Sequence, residues 1–327
     1  MRFLPAHRTA RQLIPLCLAI AACQTPASVS TIQPNAESLA EGTLATSPVV
    51  SSADRNLATA LLMQWWDLFE APETKDRSFI VDKIFSEDVV LRMSEGDLIG
   101  RTAIGTALEN LPKTRGRSHQ LLTINLADAG ADAYTLSATF NYQILQLDGQ
   151  LDSGESAYEH TVRKTTNGQF VLTEITAEVL APGNDAKFSP SYMRNRAYGT
   201  LAYYLGQTDT LKDSYPALQT ILTEQAEIHG MFDPAQQSFN PRGDGVLLGY
   251  EEISNWLASR QTSFDAVAHE IVHIDVLSEN EDQIQIAAEI KTKAWAKSGD
   301  QISVVVPVRI AMIDKDEAFL RILRIER

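Results

Sequence analysis

Cysteine is the scarcest chemistry in this chain of 327 residues: there are two, Cys17 and Cys23, both within the first 23 positions. The rest of the sequence can therefore hold no disulfide and no cysteine metal site. Histidine, the remaining soft ligand, occurs six times. No G-x-G-x-x-G, no P-loop and no serine elbow is present, so nucleotide chemistry and triad hydrolysis have no support and no cofactor is implied. Basic residues are outnumbered, 28 against 42 acidic, for a formal net charge of −14. That sign argues against a nucleic-acid backbone or an anionic lipid surface as partner. What is present is a globular balance, 44% hydrophobic and 21% charged, in a length that suits two domains, each able to bury a core.

Residues 1–23 read as an export signal. Arg2, Arg8 and Arg11 form a basic start, and Leu13 to Ala21 is an apolar run too short to span a bilayer stably. It ends in Ile20-Ala21-Ala22-Cys23, which resembles the bacterial lipoprotein box. The resemblance implies that Cys23 is lipidated and becomes the N-terminus, and Gln24 after it favours the outer membrane. The expectation is a periplasmic protein anchored to the outer membrane, touching lipid only through that anchor. Residues 24–52, rich in Ser, Thr, Ala and Pro, read as a flexible linker.

From Ala53 the elements come in an order that occurs twice. Asp54 is a plausible cap for a helix whose Leu57, Leu61, Leu62, Trp65 and Phe69 recur at helical spacing. A second helix is expected over Asp76–Phe85, a short strand over Val89–Met93 and a third helix over Thr102–Leu111. Strands follow, with Asp148-Gly149 and Asn167-Gly168 as hairpin signals. Ala181–Ser191 reads as a linker, after which helices are expected at Tyr192–Leu205, Pro216–Glu224 and Tyr250–Arg260, then strands. The predicted domains are 53–182 and 190–327.

The two copies align. Phe85–Arg92 matches Leu222–His229, and Ser118–Phe140 runs against Ala268–Ile290 without a gap, placing His119 on His269, Leu136 on Ile286 and Phe140 on Ile290. This register bears on His269-Glu270-Ile271-Val272-His273, which has the H-E-x-x-H spacing of zinc peptidases. On a helix both imidazoles share a face and could hold one metal. On a strand, four steps of about 3.3 Å put them roughly 13 Å apart. The β-branched Ile271, Val272, Ile274 and Val276, and the alternation after the Glu279–Asp282 turn, predict the strand, so no metal site is assigned.

Ile84-Phe85 with Asp88, Gly100-Arg101 with Ile104, His119 opening a strand and Gly168-Gln-Phe-Val-Leu closing the sheet resemble the NTF2-like fold, within it the SnoaL-like group. Leu248-Gly249-Tyr250, His269 and Ala318-Phe-Leu repeat the likeness. It implies an α+β class: two cone-shaped domains, each of three helices on a bent antiparallel sheet around an apolar pocket, possible partners in an intramolecular pseudo-dimer. Members include isomerases and dehydratases as well as domains that only bind or assemble. By that resemblance Tyr204, Asp209 and His269 are the acid–base candidates. Arg92, His119, His229 and Trp66 are the ligand-binding candidates, and Trp65 and Glu70 hold the Tyr204 and Asp209 places in the first copy. The expected function is binding of a small apolar or amphipathic molecule, or of an envelope protein. A lyase or isomerase working through the second pocket is the alternative, and a zinc peptidase through His269 and His273 a third.

Overall fold

The computed structural model describes residues 50–92, 96–130, 132–233, 238–240 and 243–327. The expected export signal, Cys23 and all but the last residues of the linker lie outside them. Helix α1 (Ser52–Glu70) is capped by Ser51, whose Oγ accepts the Asp54 N–H at 3.0 Å. Asp54 is thus a first-turn acid and not the cap; it takes Lys164 and Tyr134 instead. Helix α2 (Ser78–Ile84), strands β1 (Phe85–Arg92) and β2 (Leu98–Ile99), and helix α3 (Arg101–Glu109) follow. The long strands are β3 (Gly116–Gly130), β4 (Ala133–Leu145), β5 (Leu151–Lys164) and β6 (Phe170–Pro182). Gly149 and Gly168 take positive φ (93° and 79°) in the two hairpins, which is why the Asp-Gly and Asn-Gly pairs stand there.

The second half repeats the order with one difference. Helix α4 (Tyr192–Thr208) is followed not by a second α-helix but by a 3₁₀ turn, Pro216–Thr220. The chain has entered strand β7 (Leu222–Asp233) by the point where a helix was expected to continue to Glu224. Then come β8 (Ser238–Phe239), β9 (Gly245–Leu248), α5 (Gly249–Ser259), β10 (Phe264–Glu279), β11 (Gln283–Ala296), β12 (Gln301–Ile313) and β13 (Arg321–Glu326).

The first sheet runs β2-β1-β6-β5-β4-β3, and the second β10-β11-β12-β13-β7-β8 with β9 also on β7. In each, one parallel pair (β1 with β6, β13 with β7) joins an otherwise antiparallel meander. Two α+β cones in tandem result. The edge strands share a defect: β3 shifts register between Leu121 and Thr123, and β10 between Ile271 and His273. Each bulge inserts one residue, Leu122 or Val272, which faces solvent at 50% and 52% exposure.

The halves meet through α1 and α4. Gly199 and Gly206 of α4 face α1 so closely that a Cβ would lie 2.7 Å from Met63 Cβ and 2.8 Å from Leu57 Cγ. Beside this contact four charges are buried. Arg77 lies 3.4 Å from Asp67 and 3.3 Å from Asp314, while Arg196 lies 3.3 Å from Asp67 and 2.5 Å from Asp314. Asp67 and Arg77 come from one half, Arg196 and Asp314 from the other.

Candidate functional site

Inward residues of the central strands decide how each cone is filled. In the first sheet Leu136 pairs with His160, Ala138 with Tyr158 and Phe140 with Ser156. In the second, Ile286 pairs with Ile310, Ala288 with Val308 and Ile290 with Val306. Phe140, Tyr158 and His160 therefore stand where the second cone has Ile290, Val308 and Ile310, and Trp65 stands where it has Tyr204. The rings fill the first cone: Trp65 contacts Phe69 and Phe85 at 4.6 and 5.5 Å between centroids, and Phe140 contacts Tyr158 at 4.6 Å. His160 is fully enclosed among them, and burial pulls its imidazole down to about 4, so it is neutral. With aliphatic side chains at the matching places, the second cone keeps a cavity of about 60 Å³, lined by Leu201, Tyr204, Trp256, Arg260, His269 and Val308 among others.

A histidine and a carboxylate are joined in both halves. His269 presents its backbone N–H to Asp209 Oδ2 at 3.1 Å and its ring Nδ1 to Asp209 Oδ1. In the first half His119 does the same with Glu70, N–H to Oε1 at 2.5 Å and Nδ1 to Oε1 at 3.0 Å. Each carboxylate sits at the end of the first helix of its domain, opposite the opening of the edge strand. An ionised carboxylate only accepts, so Nδ1 carries the proton and Nε2 is the nitrogen left over.

Each pair is completed from the other half. Asn56 of α1 donates through Nδ2 to Asp209 Oδ2 at 3.3 Å and to the His269 carbonyl at 3.1 Å. Asn195 of α4 donates to both Glu70 oxygens at 3.1 Å and to the His119 carbonyl at 2.7 Å. These amides also satisfy backbone carbonyls of two edge strands that would otherwise be unpaired.

Of the acid–base candidates, the fold joins Asp209 and His269 and places Tyr204 in the same cavity without a hydrogen bond to either. The Tyr204 hydroxyl has no partner among the described residues; burial pushes it up to about 12, so it is a neutral donor. The ligand-binding candidates fare differently. Trp66 is wholly buried and stacks on His119 at 5.4 Å, so both belong to the first core and not to a pocket. Arg92 is half exposed and engaged by Glu174 and Asp97. His229 lies on the face of β7 opposite the cavity-lining Ile228, paired with Glu227 at 2.7 Å. His273 is exposed and pairs with Asp275, because the bulge at Val272 turns it to the face opposite His269. The zinc reading needs one helical face and is overturned by this strand.

Sequence reasoning missed Asn56, Asn195 and Arg260. The first two carried a signal: they stand at the same separation as Trp65 and Tyr204, and as Glu70 and Asp209, once the helices of the repeat are aligned. Arg260, a single charged residue at a helix end, carried none.

No known family profile matches the chain, and no curated protein sequence matches it. Similar solved structures include a candidate aromatic ring hydroxylase from Novosphingobium aromaticivorans, 21% identical with a TM-score of 0.34, covering 39% of this chain and 89% of that one. A candidate scytalone dehydratase from the same organism is 14% identical, TM-score 0.33, covering 42% and 89%. Nuclear transport factor 2 from Cryptosporidium parvum is 10% identical, TM-score 0.32, covering 38% and 92%. At these values the likenesses carry no argument about chemistry.

Proposed function

We propose that this tandem of NTF2-like domains is an exported, lipid-anchored binding protein whose C-terminal cone receives one small apolar molecule bearing a polar group. The observation that carries this reading is the contrast between the cones: rings fill the first, while the second keeps an apolar cavity with His269, Tyr204 and Arg260 as its polar wall. The lining, apolar with a few polar groups, is that of a small-molecule site, and the resting volume of about 60 Å³ limits the occupant to a few heavy atoms unless side chains move aside. The first domain then serves as scaffold, its α1 packed on α4. Anchoring rests on Ile20-Ala21-Ala22-Cys23 after a basic, apolar start, and Cys23→Ser is expected to abolish fatty-acid labelling.

Phenol, with one ring and one hydroxyl, exceeds the resting space of about 60 Å³, so its binding tests whether the cavity opens around a ring. Calorimetry on the intact chain is expected to show saturable binding that is lost in Ala294→Phe, which fills the cavity wall. Unchanged binding in that variant rejects the cavity as the site.

One observation favours a second reading, a lyase or isomerase. Asp209 holds Nδ1 of His269, leaving Nε2 as the base-competent nitrogen in a cavity that also holds the neutral Tyr204 hydroxyl. A base beside an oxyanion donor is the requirement for removing a proton next to a carbonyl. The expected sign is hydrogen–deuterium exchange at the α-carbon of cyclohexanone, lost in His269→Ala; exchange equal to buffer alone rejects it.

A further inference from the structure

Arg260, which directly follows α5, is 7% exposed and lines the C-terminal cavity. Burying a guanidinium is costly unless opposite charge and hydrogen bonds replace its water. Two of its donors are engaged by backbone: Nη2 gives to the Thr208 carbonyl at the end of α4, and Nε to the Leu257 carbonyl at 3.5 Å. Its third face lies over the Trp256 ring, 5.7 Å from the centroid. These are partial charges only. Among the described residues no carboxylate pairs with it, and Nη1 has no acceptor. The other strongly buried arginines are treated differently, since Arg77 and Arg196 each meet both Asp67 and Asp314.

An uncompensated cation and the unpaired hydroxyl of Tyr204 thus share one apolar cavity. Their complement is a negative oxygen on an apolar body, because an anion restores the missing charge while the body keeps water out. We propose that the ligand is a small carboxylate carried on an apolar ring or chain, its carboxylate seated against Arg260 and Tyr204. This rests on the reading of the cavity as a binding site. The chain as a whole is acidic, with a net charge of −14, so any preference for an anion must arise locally.

The test compares benzoate with benzamide, which has the same shape and no charge, by calorimetry on the intact chain. Wild-type protein is expected to bind benzoate about tenfold or more tightly than benzamide, the scale of a charge-assisted hydrogen bond. Arg260→Gln is expected to bring the ratio to about one, and Arg260→Lys to keep part of it. Benzamide binding as well as benzoate in the wild type overturns the proposal while leaving the cavity a binding site. An undiminished ratio in Arg260→Gln overturns it too, and failure of both probes to bind overturns the cavity reading with it. The wild-type ratio decides the matter even where Arg260→Gln, which loses its hold on two helix ends, does not fold.

Discussion

His273 follows directly on the bulge at Val272. Its imidazole is exposed beside Asp275 on the outer face of β10, where an ion pair is worth little. His273→Ala is therefore expected to leave stability within about 0.5 kcal/mol of wild type and phenol binding unchanged; a loss of binding contradicts the placement. Asp67 is the opposite case. Burial pushes its carboxyl from 3.8 up to about 6, against the pull of Arg196 and Arg77. Between about pH 4 and pH 6 the folded chain thus keeps a proton that the unfolded chain has released. Stability from this group falls as pH rises through that window and is flat above it. Comparing urea midpoints at pH 4.5 and 6.5, Asp67→Asn is expected to remove that falling component; an identical pH slope in the variant contradicts it.

At the scale of elements, α4 is shaped by what lies against it. A glycine inside a helix costs about 1 kcal/mol relative to alanine, so Gly→Ala in an open place stabilises. Gly105 of α3 is such a place, with its nearest neighbour, Val81 Cγ1, at 3.8 Å. At Gly199 the added Cβ meets that of Met63 at 2.7 Å, and overpacking of this kind costs about 1–3 kcal/mol. Urea titrations are expected to show Gly105→Ala stabilised and Gly199→Ala destabilised; a stabilised Gly199→Ala means that the helices do not pack this closely.

The same scale shows what the sequence could convey. Helix α1, the Asp-Gly and Asn-Gly hairpins and the extended state of Ala268–Val276 were legible because periodicity and turn chemistry are local, and because the two copies share a register. The bulges at Leu122 and Val272 were not, since an inserted residue leaves the alignment intact while turning every later side chain over. That turn decides the faces of His269 and His273. The 3₁₀ turn at Pro216–Thr220 was misread for a related reason: Leu218 and Leu222 fit a helix, but the chain pairs as strand from Leu222.

Across the whole molecule, the two halves hold each other's histidines through Asn56 and Asn195. Asn56→Leu leaves the part-buried His269 carbonyl without its donor and is expected to shift the ¹⁵N signals of the His269 imidazole while the proton stays on Nδ1, because Asp209 Oδ1 still accepts from it. Asn195→Leu, equivalent in the other half, is expected to leave the His269 signals in place, and an equal disturbance by both variants points to general loosening of the interface. The candidate site itself was half legible. Asp209 and His269 followed from the likeness to a known fold, whereas the cavity depends on volumes at Ile290, Val308 and Ile310 that matter only once the strands are paired.

That difference in volume is the centre of the account, and xenon reads it directly, because the gas enters dry apolar space without needing a particular ligand. A crystal of the intact chain pressurised with xenon is expected to show a bound atom among Ile290, Val308 and Ile310, and none among Phe140, Tyr158 and His160. Xenon in the N-terminal cone, or in neither, contradicts it.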